Sequence, residues 1–295
     1  NPKWRKIKEK SIYFFFFTSG ISVILNLASI FIMLFIKGIE TFEVVFMRDF
    51  FFVSKWDPSA YNSPSYGILS MIVSTFLVTF GAMLIAVPLG IGTAAYLSEV
   101  ASSKVREILK PVIEILAGIP SVAIGFIGIV VVGPALGKLL GLSCGLNALN
   151  GAILLAIMSL PTIISISEDA IQSVPNSYKE ASYALGANHW TTLIHVTIPA
   201  AISGIIVAVM LGIGRAVGET MTVLMATGNA LAMPGGFFDS VRTMTASIAI
   251  ELGEVPYGTT HYYGLFAVGG VLFIISFLVN LVAEVVSHKH RKNRV

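Results

Sequence analysis

Six stretches of this 295-residue chain, at roughly 11–36, 68–97, 111–136, 149–167, 199–227 and 264–286, stay apolar for about the thickness of a bilayer. They show almost none of the polar–apolar alternation that a soluble core requires. Charged residues make up only 12% of the chain and the mean hydropathy is +0.85, whereas soluble domains carry about a quarter charged residues. The chain is therefore read as an all-α integral membrane protein, a single domain of six transmembrane helices over residues 1–295. Pro88, Pro120 and Pro161 fall inside three of the runs and are expected to interrupt them. The carbonyls freed by such interruptions are tolerable only in a packed bundle or beside a watered cavity.

The run from Ser11 to Ile36 follows the basic segment NPKWRKIKEK. It is too long for the apolar region of a secretory signal and no small-residue cleavage site follows it, so it is expected to be a retained first helix. Thirteen of the 19 lysines and arginines fall in the two tails and the even-numbered loops, five fall in the other loops, and Arg215 alone lies inside a span. By the positive-inside rule both termini should be cytoplasmic. The first loop on the other side, FFVSKWDPSAYNSPSYG, is rich in aromatic residues, proline and serine. It is expected to lie at the membrane interface rather than to form a domain.

Enzyme signatures fail one by one. GPALGKLL at 133–140 has three residues between its glycines where a phosphate loop has four, and Leu139 stands where the magnesium-binding serine or threonine belongs. GIGRAVG at 212–218 misses the dinucleotide spacing and follows no strand. HExxH is absent from the sequence. One cysteine, Cys144, excludes an intrachain disulfide, and the five histidines show no metal-ligand spacing. The chain is read as no enzyme, with no metal or cofactor of its own. Energy for transport must come from a partner or an ion gradient.

The segment GIGRAVGET at 212–220 carries the most informative charges. On a continuous helix Arg215, Glu219 and Thr222 fall within about 60° of one another, flanked by Gly214 and Gly218, with Val217 among the residues on the opposite, lipid-compatible face. A buried arginine costs at least about 2.5–3.5 kcal/mol, which disfavours an unpaired one facing lipid, and Glu219 one turn on is expected to neutralise it. Two readings stay open. The pair pins the helix to a neighbour while the glycines allow close approach, or it faces a translocation path where the guanidinium fork meets an oxyanion. In the third run, Gly118, Pro120 and Ser121 read as a helix break, made either for packing or to turn polar backbone toward that path.

The longest cytoplasmic loop, about 168–198, contains EAS at 180–182, Gly186 and IP at 198–199. This resembles the EAA loop of ATP-binding-cassette importer permeases, with departures at Ser182, Val196 and Ile198. GRAVGET at 214–220 and EILAGIPSVAIGFIG at 114–128 are similar to motifs of phosphate permeases, and WDP at 56–58 with HYYGLFAVGGVLFIISFLVN at 261–280 resembles the PstC type. The resemblance implies a type I importer permease fold in a bacterial or archaeal cytoplasmic membrane. It also implies that Glu180, Ala181 and Gly186 serve a coupling helix docked on an ATPase subunit. Its implied partners are a PstA-like permease, two PstB-like ATPases that use ATP and magnesium, and an extracytoplasmic PstS-like phosphate-binding protein, with phosphate as cargo and no nucleic acid. Another oxyanion, an ion-coupled carrier, and a sensory scaffold are the competing readings.

Overall fold

The computed structural model describes residues 2–292, with side chains from residue 8 to residue 285 except residue 283. The tail cations Lys3, Arg5, Lys6, Lys289, Arg291, Lys292 and Arg294, used above for orientation, have side chains outside that set. The chain forms α1 (Pro2–Ile39), α2 (Met47–Phe52), a hairpin of β1 (Trp56–Asp57) and β2 (Ser65–Tyr66), α3 (Leu69–Ala95), α4 (Ser103–Gly118), α5 (Ser121–Ile127), α6 (Gly133–Leu140) and α7 (Ala148–Gln172). There follow α8 (Asn176–Ala184), α9 (His189–Thr192), α10 (Ile198–Gly218), α11 (Met221–Ala226), α12 (Met244–Glu251) and α13 (Thr260–Lys292). Among the described residues six helical runs are long and apolar enough to cross a membrane: Lys8–Glu43, Leu69–Val100, Ser121–Leu140, Ala148–Gln172, His189–Gly218 and Thr260–Val282.

α3, α7 and α10 form the centre of the bundle. Their shared core is made of Val78, Ala82, Met83 and Ala86 against Ala152, Leu155, Ala156 and Ile163, joined by Ala216 and Val223. Lipid offers no hydrophobic drive to bring helices together, so close packing through small residues has to do it. Gly90 shows how close the approach is, since a Cβ there would lie 2.6 Å from Ile163 Cγ2. Gly90→Leu should therefore overpack this contact, at a cost of about 1–3 kcal/mol. The expected result is a lower yield of folded protein and an earlier unfolding midpoint in detergent.

α1 pairs antiparallel with α13, with Gly38 against Ala267 and Phe31 against Phe273, so both chain ends leave on the same side. That side is called the terminal side below. From residue 8 to residue 33 α1 is exposed. On the opposite side the aromatic loop folds onto the bundle, with Phe50 and Trp56 buried against Met71, Met244 and Leu265. Trp56 Nε1 donates to Glu251 at 2.9 Å, and Arg242 and His261 also meet that carboxylate. The loop is thus a packed cap on the bundle.

Proline acts differently from expectation at two of the three positions. α3 runs through Pro88 and α7 through Pro161 without a break, because each proline removes one backbone hydrogen bond while the surrounding core keeps the helix in place. Pro120 does break its run. It fixes its own φ at −60° and holds Ile119 extended at φ −65°, ψ 129°, so α4 stops at Gly118 and α5 starts at Ser121. The run expected at 199–227 is also interrupted, and here without a proline. α10 ends at Gly218, Glu219 is extended at φ −69°, ψ 133°, and α11 resumes at Met221.

Candidate functional site

The two interruptions lie side by side. Thr222 Oγ1, at the start of α11, donates to the Ser121 carbonyl at the start of α5 at 3.1 Å and lies 3.0 Å from Met158 Sδ in the middle of α7. Both spans are therefore interrupted at one level within the bundle. Side chains take up the backbone groups freed there. The Glu219 carboxylate accepts from Thr222 N at 3.2 Å, and the Glu219 carbonyl accepts from Thr245 Oγ1 of α12 at 2.8 Å. This satisfaction stabilises a break in a helix that Gly218 already weakens.

The break alters the expected stripe. A continuous helix would place Glu219 one turn above Arg215, but Glu219 is turned into the cap of α11 and makes no ion pair with Arg215. Among the described residues the Arg215 guanidinium has no ion-pair or hydrogen-bond partner, and it is exposed with Leu211 and Gly218 on one face of α10. Val217, expected toward lipid, is instead buried with Ala216 against the core. Thr222, at 0% exposure, clamps the two breaks together and does not border an opening.

Gly118 ends α4 and Gly218 ends α10, and neither has a neighbour within 4 Å of its Cβ position. Neither glycine is therefore spent on close helix packing within this chain. Gly214 does have a neighbour: Asn280 Oδ1 of α13 would lie 3.7 Å from a Cβ there. The result is an exposed cation and an exposed amide beside two helix breaks, set within apolar spans. An uncompensated guanidinium facing acyl chains costs several kcal/mol, so this face requires water, an anion or another subunit.

The loop after α7 has the expected polar helical character. α8 turns outward Glu180, Ala181, Ala184 and Leu185, and Tyr178 and Trp190 are exposed beside them. Gly186 has φ +84°, Gly186 N donates to Tyr183 O at 2.9 Å, and Ala187 N donates to Ser182 O at 3.2 Å. These two bonds make a Schellman cap, whose left-handed position is the reason for a glycine. Asn188 Oδ1 then accepts from Thr191 N at 2.8 Å and starts α9.

Sequence reasoning missed Thr245, Met158 and Asn280 at the breaks. It also counted Arg106, Lys110, Lys179 and Arg242 only as markers of orientation. Arg106, Lys110 and Lys179 each meet a carboxylate far away in sequence, and Arg242 meets Glu251 across the end of α12, contacts for which spacing along the chain carries no signal.

Residues 86–292 match the family described as binding-protein-dependent transport system inner membrane component. A probable ABC transporter permease, YqgH of Bacillus subtilis, is 40% identical over 274 residues, covering 92% of this chain and 88% of its own. The phosphate transport system permease PstC of Mesorhizobium japonicum is 35% identical over 267 residues, covering 84% and 79%. A structure of a bacterial alginate ABC transporter with its pentasaccharide-bound periplasmic protein superposes with a TM-score of 0.63 at 16% identity, over 97% of both chains. An inward-facing MetNI methionine transporter gives 0.57 at 19% identity, over 76% and 94%. The fold is that of type I ABC importer permeases, and such permeases work with ATPase and binding-protein partners without being enzymes themselves. The chain, a multi-pass inner membrane protein, belongs to the family of binding-protein-dependent transport system inner membrane components.

Proposed function

We propose that this chain is the PstC-like permease subunit of an importer that moves inorganic phosphate into the cytoplasm at the expense of ATP. The observation that carries the reading is the exposed Arg215 guanidinium, without a partner among the described residues, beside the paired breaks of α4–α5 and α10–α11. A planar fork of N–H donors suits a tetrahedral oxyanion, and in a partly dry site each charge-assisted bond is about twice as strong as a neutral one. Asn280 adds an uncharged donor nearby. Identity to PstC relatives over most of the chain favours phosphate over other oxyanions.

In this reading the terminal side is cytoplasmic, in keeping with the distribution of lysine and arginine. The exposed face of α8, with Glu180, Ala181 and the Gly186 cap, rests on one of two PstB-like ATPases that bind ATP and magnesium. A PstA-like permease covers the Arg215 face and completes the path. A PstS-like binding protein delivers phosphate at the capped side.

Reconstitution of the chain with these partners in vesicles tests this. Labelled phosphate uptake is expected to require ATP, to stop with an ATPase-dead PstB-like subunit, and to resist about tenfold excess sulfate or molybdate, a margin of about 1.4 kcal/mol. Competition by sulfate would assign another oxyanion. Uptake driven by an ion gradient with the dead ATPase would refute the importer reading.

A further inference from the structure

On the terminal side a series of charges of alternating sign leads from α8 into the bundle. The inward face of α8 carries Lys179 and Ser182. Ser182 Oγ lies 2.9 Å from Thr192 Oγ1, a contact within the loop itself. Lys179 is different, because its ammonium forms an ion pair with Glu99, 80 residues earlier, on the π-helical turn Tyr96–Val100 that ends the α3 span. The two side chains are only 17% and 9% exposed, so solvent screens this pair less than it would a surface pair.

The same turn holds α4. Arg106 Nε donates to the Leu97 carbonyl at 2.9 Å and its Nη2 to the Ser98 carbonyl at 2.8 Å. Carbonyls at a helix end carry partial negative charge and attract a cation. One helical turn on from Arg106, Lys110 points the same way. Both face Glu168 of α7, at 3.9 Å and 3.5 Å, and that carboxylate also accepts from Gln172 Nε2 at 2.8 Å. With its side chain 2% exposed, Glu168 is a buried anion that depends on these partners. α4 then runs without interruption to Gly118, where the break at Ile119–Pro120 meets Thr222 and, through Glu219, the end of α10.

We propose that the Lys179–Glu99 pair is a positioning strut that passes displacement of α8 to the Tyr96–Val100 turn, to α4 and so to the two central breaks. The argument is geometric. The outer face of α8 is open for a partner, and Lys179 is the side chain on its inner face that leaves the loop in an ion pair. The turn it grips also grips α4 through two carbonyls, and α4 forms one side of the break that Thr222 joins to the α10–α11 break. A push on α8 thus has a direct mechanical route to the site, through charged, paired groups of which Lys179 and Glu99 are largely buried. This inference rests on the reading of α8 as the ATPase contact and adds the means by which the contact is felt inside the membrane.

The test uses the full complex in vesicles and reads phosphate moved per ATP hydrolysed, together with ATPase copurification. Glu99→Gln and Lys179→Gln are each expected to lower phosphate per ATP by about tenfold, within the usual range of coupling between sites. Copurification and ATP turnover should stay within about twofold of wild type. The reversed pair Glu99→Lys with Lys179→Glu should recover most of the lost ratio, and Lys179→Arg should retain it. Unchanged phosphate per ATP in Glu99→Gln would overturn the strut while leaving the functional reading intact. So would loss of copurification in step with transport, or no rescue by the reversed pair. A wild-type complex that hydrolyses ATP but moves no phosphate would instead defeat the functional reading, and the strut with it.

Discussion

Arg215→Gln is expected to lower phosphate uptake by about 10²-fold or more while leaving the complex assembled. A guanidinium that makes two charge-assisted bonds to an oxyanion contributes about 3 kcal/mol or more through them, which corresponds to at least two decades in rate or occupancy. The variant removes a charge that has no partner among the described residues, so nothing in this chain is left unpaired by the change. Folding should tolerate it. Arg215→Lys should fall between the two, because it keeps the charge and loses the planar fork. Initial uptake rates in vesicles, with subunit stoichiometry measured on the same preparation, check all three. Normal uptake by the glutamine variant would return Arg215 to a packing role.

The same geometry sets Glu219 apart from Arg215. Glu219 accepts from the first turn of α11, so Glu219→Gln keeps an acceptor there and should be mild. Glu219→Leu removes the cap and should cost about 1 kcal/mol of stability without abolishing transport outright. An equal loss of uptake for Glu219→Gln and Arg215→Gln would show that the two side chains act as one charged unit after all.

The second large effect is expected at Gly186. At φ +84° a valine is strained both by its Cβ and by its branching, so Gly186→Val should cost at least about 1–2 kcal/mol locally and undo the Schellman cap. No atom lies within 4 Å of its Cβ position, so the loss comes from backbone conformation and not from a clash. The exposed Leu185 and Trp190 on either side of that turn would then point elsewhere. The expected outcome is at least about a tenfold loss of ATPase binding or of ATP-driven uptake, with the membrane bundle intact by thermal unfolding. Gly186→Asn, which enters the left-handed region more readily, should retain much of the function. Normal copurification and uptake in the valine variant would remove this loop from the coupling role.

What the sequence by itself determined was the solvent, the element type and the number of spans. Runs of about twenty apolar residues leave a chain no choice but helices that satisfy their own backbone in lipid. The Gly186 turn was legible as well, because a helix end needs only local residues. Tertiary structure decided the rest. Pro88 and Pro161 sit in unbroken helices while Glu219, with no proline near it, lies at a break, because the outcome depends on the packing around each helix and on whether a distant group such as Thr245 satisfies the backbone. For the same reason Glu219 caps α11 instead of pairing with Arg215. The 100° rule assumes an uninterrupted helix, and that assumption fails where a side chain 26 residues away supplies the missing hydrogen bond.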